Sequence, residues 1–145
     1  MFSDDLANIS WMMDLFNTYF KIVQPLYDKG ESIIFDRYIF SAKTYSTATT
    51  DSDISNMFYL YDFLPQPDAY IYLKVDVDVA YKRIIKRGKN IVYYEAPKYL
   101  KKIKECYEKN ICGLYNTYTV DANQDFDTVF NEINRILNDL TGGLT

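Results

Sequence analysis

An acid and a base stand side by side at Asp36-Arg37, at the end of a short apolar run, Ile33-Ile34-Phe35. A turn at Lys29-Gly30 precedes the run, which reads as a strand buried on both faces. In an open α/β sheet, ligands bind beyond the carboxyl ends of the strands. An arginine fork placed there suits a phosphate, and an aspartate can hold a metal-bound water. The same two side chains could instead cap the strand and pair with each other, as exposed ions commonly do to little effect. Spacing alone leaves the two readings level. Two more strand ends carry carboxylates, at Asp76 and at Asp121-Ala122. A basic cluster follows the first of them, Lys82, Arg83, Lys86, Arg87 and Lys89, and then a loop with Tyr93-Tyr94-Glu95. Each has a plainer explanation. Asp76 suits a helix cap better than a catalyst. The basic cluster suits a solvated face, as do Lys98, Lys101, Lys102 and Lys104. Trp11, the only tryptophan, suits core packing.

Composition narrows the chemistry. There is no histidine, which removes imidazole acid–base catalysis, histidine triads and most zinc sites. Sixteen basic against 20 acidic residues give a net charge of −4, so the chain has no global attraction for nucleic acid. Cys106 and Cys112 are too few and too loosely spaced for a metal site and read as packing residues in a reduced compartment. No apolar run approaches the roughly 18 residues of a membrane span, and the N-terminus is acidic rather than a leader. The expected location is the cytoplasm, with neither nucleic acid nor membrane as partner. Fifteen tyrosines are many, and those that are buried need partners for their hydroxyls.

Elements to position these groups follow from periodicity. Residues 4–28 read as an amphipathic helix with Leu6, Ile9, Met13, Phe16, Phe20 and Val23 inward and a kink or early end at Pro25. Residues 41–50, rich in Ser, Thr and Ala, read as a loop leading into a loose helix. Asp51-Ser52 can cap a helix over 53–63, stopped by Pro65-Gln66-Pro67. A second strand is expected at 69–75, a helix at 77–87 ending on Gly88, and a helix at 96–111 with Pro97 in its first turn. A third strand at 116–120 and a helix at 124–140, with Phe126, Phe130, Ile133, Ile136 and Leu140 among its inward residues, complete the chain. Strands alternating with helices indicate an α/β fold with a parallel sheet flanked by helices, one domain over 1–145.

Several separated stretches, taken in order, resemble the thymidylate kinase family of P-loop nucleotide kinases. They are Pro25 and Gly30 before the apolar run, then Asp36-Arg37-Tyr38 with Ser41 and Tyr45. Next come Pro67-Asp68, Val75-Asp76 and Arg87-Gly88, then Tyr94-Glu95, Tyr99-Leu100 and Tyr107, and finally Val120-Asp121-Ala122. The resemblance covers nearly all of residues 5–140 and implies a three-layer P-loop kinase-like fold that transfers the γ-phosphoryl of ATP to dTMP, with Mg²⁺. It implies that Arg37 holds the phosphate of the nucleoside monophosphate and that Asp36 holds a water on the metal. Trp11 would stack on the base, Ser41 and Tyr45 would border the substrate, and Tyr94 would pack on the sugar or base. Tyr45 would lie against the sugar, where it disfavours a 2′-hydroxyl. Arg87 would neutralise the transferring phosphoryl group, with Arg83 beside it on the cofactor side, and Asp121, Ala122 and Asn123 would border the adenine. Relatives are often dimers, and the apolar first helix suits such an interface.

The chain departs from that family in three ways. The arginine that reads the thymine edge falls on Leu15 here, so base identity is not carried over. The lid is short. No Gly-x-x-x-x-Gly-Lys-Ser/Thr occurs in the 145 residues, although that loop binds the ATP phosphates and Mg²⁺. The expectation is therefore a C-terminal portion, a split gene product or a shortened relative, inactive by itself. A deoxynucleoside kinase is one alternative, though its Glu before an Arg-Ser motif is not found. A non-catalytic paralogue that binds a nucleotide or partner chain is another.

Overall fold

A computed structural model describes residues 4–50, 55–111 and 114–142. The chain divides into two compact units, Met1–Gln66 and Pro67–Thr145.

In the first unit, α1 spans Asp4–Thr18 and runs through a π-helical turn, Tyr19–Val23, into the short α2, Gln24–Tyr27. The kink expected from Pro25 takes the form of that π turn. Pro25 has no N–H for the carbonyls a turn behind it, and the Gln24 N–H instead reaches back to the Tyr19 carbonyl. The inward stripe is only in part the expected one: Val23 is buried and Phe16 packs against the core. Leu6, Met13 and Phe20 are 44%, 62% and 49% exposed. Asn8, Met12 and Tyr19 are buried instead. Apolar residues lie on both of these adjacent faces, so their period does not choose between them. Hydrogen bonding does: the Asn8 amide donates to Thr50 Oγ1 at 2.6 Å and accepts from the Ser46 hydroxyl at 3.1 Å.

Those partners lie on or beside α3, Ile39–Thr49, which is a full helix where a loop was expected over much of its length. Its hydroxyls do not compete with the helix. Thr47 and Thr49 donate to the carbonyls of Lys43 and Tyr45 one turn back. The next segment, Ser55–Phe63, is a 3₁₀ helix with Tyr61 buried. The expected Asp51-Ser52 cap lies outside the described residues. The expected strand at 33–35 does not form either. A strand exists through its ladder, and residues 31–35 are in no ladder. They keep a strand's alternation on one face only. Ile33 and Phe35 pack against the core around Tyr38, Ile39 and Leu64, while Ile34 is 80% exposed.

The second unit holds β1 (Tyr70–Lys74), α4 (Val77–Arg87), a 3₁₀ turn (Tyr93–Glu95), α5 (Pro97–Ile111), β2 (Thr117–Asp121) and α6 (Phe126–Thr141). Among the described residues the sheet has these two strands, parallel, with Tyr70 opposite Thr117 and Lys74 opposite Asp121. Strands joined through helices and paired in parallel make this the α/β class read from the sequence. Val120 at its centre is fully buried. Tyr72 stacks on Tyr107 of α5 at 5.4 Å. Burial, then the nearby Glu108 carboxylate, pushes the Tyr72 hydroxyl up to about 12. Gly88 ends α4 at φ 69°, a conformation that favours glycine. In α6, Ile136 is buried as expected, but Phe126, Phe130 and Leu140 are not inward. Phe126 and Phe130 are 77% and 50% exposed and stack on each other at 5.8 Å. No described helix is long and apolar enough to cross a membrane.

Candidate functional site

The first unit builds a sharp corner at Asp36-Arg37. Before it, Phe35 packs on the core; after it, Tyr38 is buried and stacked on Phe35 at 4.3 Å. The Tyr38 hydroxyl donates to the Pro65 carbonyl at 3.2 Å, and Ile39, 3% exposed, starts α3. With the chain fixed on both sides, Arg37 takes φ 72°, a region L-residues other than Asn and Asp seldom occupy. Outliers of this kind gather at ligand sites. Its guanidinium carbon lies 4.8 Å from the centroid of the Tyr45 ring, on the second turn of α3. The corner thus brings Arg37 and Tyr45 together. Ser41 is half-buried on the first turn of α3, Asp36 is exposed, and Trp11 on α1 is 48% exposed.

In the second unit the ends of β1 and β2 are tied to each other. Asp76 donates its N–H to Asn123 Oδ1 at 2.9 Å, and the Asn123 amide returns a bond to Asp76 Oδ2 at 3.3 Å. Lys104 donates to Asp76 Oδ1 at 2.8 Å. Lys104 is therefore not the solvated lysine expected. Its position with Leu100, Ile103 and Tyr107 in the inner stripe of α5 was the available signal. That hydrogen bond to Asp76 raises its amine above the usual lysine range. Arg83 donates to the carbonyls of Ala122 at 2.7 Å and Gln124 at 3.1 Å, bracing the loop after β2. Asp121 accepts from the Asn123 N–H and the Gln124 amide, which hold its carboxyl below the usual range.

Arg87 grips both carboxylate oxygens of Glu95 at 2.8 and 2.9 Å, and Glu95 also accepts from the Val92 N–H at 3.1 Å. This clamp closes residues 88–95 into a short loop, with Tyr94 half-buried and set edge-on to Tyr93 at 5.3 Å. The hydrogen bond from Arg87, followed by that from Val92, lowers the Glu95 carboxyl below its ordinary 4.5. A depressed carboxylate stabilises the fold above its unfolded value and loses that contribution as pH falls through the folded one. The clamp is expected to persist at pH 5 and open in more acid solution. Amide exchange of residues 88–95 measured from pH 7 to pH 3, corrected for the intrinsic pH dependence of exchange, tests this. Glu95→Gln should show the open loop's exchange already at pH 7.

A family profile described as "Thymidylate kinase" matches residues 4–133. The chain belongs to the thymidylate kinase family. "Probable thymidylate kinase" of Archaeoglobus fulgidus is 29% identical over 79% of this chain and 57% of its own length. "Thymidylate kinase" of Dictyostelium discoideum is 32% identical over 79% of this chain and 49% of its own length. A kinase-named protein of Invertebrate iridescent virus 3 is 29% identical over 96% of this chain and 77% of its own. The chain thus spans about half the length of the two thymidylate kinases. Within the family's span, the clearest local anomaly is the Arg37 corner, and the arginines of α4 are already engaged by protein acceptors.

Proposed function

We propose that these 145 residues form the acceptor side of a thymidylate kinase-like phosphotransferase that converts dTMP to dTDP. The observation that carries this reading is Arg37 at the Asp36-Arg37 corner, held at φ 72° against Tyr45. The planar fork of a guanidinium suits the oxygens of a monoester phosphate. Trp11 and Ser41 of the same unit are proposed as further substrate contacts, and for Tyr94 the family resemblance alone supports such a role. ATP would supply the transferred phosphoryl group, and Mg²⁺ would offset the negative charge of its phosphates. Among the described residues no three acidic or cysteine side chains gather to cage a metal. Asp36, exposed and single, fits the outer role of holding a metal-bound water, since Mg²⁺ keeps several of its waters. Asp121, Ala122 and Asn123 would border the adenine on a loop that Arg83 braces from behind. Arg87 would meet the phosphoryl group only by sharing or leaving Glu95. Action in the cytoplasm, possession of dimers, and preference for dTMP over other monophosphates belong to the same proposal.

Titration calorimetry of the 145-residue chain with dTMP, thymidine and ATP tests the reading. The expected outcome is saturable binding of dTMP, none of thymidine, and weak or no binding of ATP, with no dTDP formed from dTMP and ATP. Thymidine bound as tightly as dTMP would favour a nucleoside kinase. Binding of neither would remove the acceptor site.

A further inference from the structure

Tyr45 has a partner on one face of its ring, and that partner is the Arg37 guanidinium at 4.8 Å. We propose that Tyr45 is a positioning residue whose ring holds the Arg37 guanidinium in the plane from which it receives the acceptor's phosphate. The proposal rests on Arg37 being the phosphate ligand, and it gives Tyr45 a duty other than packing on a sugar.

Three observations lead to it. First, Arg37 is at φ 72°, a backbone setting that fixes where its side chain departs from the corner. An arginine stem is long and rotamer-rich, so the corner alone does not fix the guanidinium. Second, a guanidinium carbon within about 6 Å of an aromatic centroid lies in the attractive range of the ring face. A cation–π contact engages the face of the group, whereas a bidentate bond to phosphate is made by its N–H edge, so the two do not compete. Third, the platform is firmly seated. Tyr45 lies between Thr44 and Ser46, which are 1% and 4% exposed. Its carbonyl accepts from Thr49, and Ser46 is bonded to Asn8 on α1. Tyr45 itself is half-buried, while Arg37 is exposed.

The test uses the 145-residue chain with Tyr45→Leu and Tyr45→Phe. Without ligand, proton NMR should show the Arg37 side-chain resonances shifted upfield by the ring in the unsubstituted chain and in Tyr45→Phe. They should return to ordinary positions in Tyr45→Leu. With dTMP as the probe, Tyr45→Leu should raise the dissociation constant roughly 3- to 30-fold, as expected when a cation–π attraction is removed at a partly exposed site. Tyr45→Phe should restore binding, since a face and no hydroxyl is required. Unshifted Arg37 resonances in the unsubstituted chain would overturn the platform. So would a Tyr45→Leu chain that binds dTMP as tightly as its parent. Because the ring shift is read without ligand, it decides the platform even for a chain that binds no dTMP, a result that would instead defeat the function proposed above.

Discussion

Arg37→Gly is expected to abolish measurable dTMP binding while leaving the melting temperature little changed. The two effects have separate causes. The left-handed conformation at φ 72° costs an L-residue about 1–2 kcal/mol, and glycine adopts it freely. Against this gain stands the removal of the cation–π attraction to the Tyr45 ring, worth about 0.5–1 kcal/mol at an exposed site. A new glycine also costs about 0.4–1 kcal/mol through the freer unfolded chain, so the balance is near zero. Binding has no such compensation. Hydrogen bonds to a charged group contribute about 1.5–3 kcal/mol each, so removing a bidentate pair weakens binding by at least about 100-fold. Arg37→Lys should fall between, keeping charge but not the fork. Calorimetry with thermal denaturation on the same samples separates the effects. A variant that melts more than about 5 °C lower and still binds dTMP would show Arg37 to be a structural residue.

Tyr38→Ala is expected to cost about 3–5 kcal/mol, the loss typical of a buried aromatic truncated to alanine. Tyr38 is 9% exposed, stacks on Phe35, and reaches Pro65 through its hydroxyl. It pins the far side of the Asp36-Arg37 corner and the entry to α3. Its removal should release residues 31–45 together and take dTMP binding with them. Tyr38→Phe removes the hydroxyl that donates to the Pro65 carbonyl and should cost about 1 kcal/mol with binding retained. Urea denaturation of the two variants gives both numbers. A cost below about 1 kcal/mol for Tyr38→Ala would mean that the corner is held by something else.

Much of this was legible in the residues. The helices at Val77–Arg87 and Phe126–Thr141 follow from their apolar periods and from Gly88 and Gly142 beyond their ends. The two strands follow from apolar runs that end in carboxylates. What failed to show had physical reasons. An apolar run such as 33–35 carries the propensity of a strand, but whether it becomes one depends on a neighbour that composition does not reveal. The Ser- and Thr-rich stretch before Thr50 looks like a loop because those side chains usually compete with the backbone. Here Thr47 and Thr49 return their bonds to the helix itself, and Ser46 gives its bond to Asn8. The inner face of α1 is hidden because a second apolar row lies beside it, and a single buried amide selects between them. Lys104 reads as solvent-facing on charge alone, although its helical position puts it within reach of the β1 end. At the candidate site, Asp36 and Arg37 could be singled out by type and place. The strain at Arg37 and its seat on Tyr45 needed the backbone to be seen.

Phosphorus NMR of dTMP, titrated with the 145-residue chain and with its Arg37→Gly variant, asks directly whether Arg37 receives the acceptor's phosphate. The dTMP phosphorus resonance is predicted to shift saturably with the unsubstituted chain and not at all with Arg37→Gly. An equal shift with both chains, or no shift with either, would contradict that role.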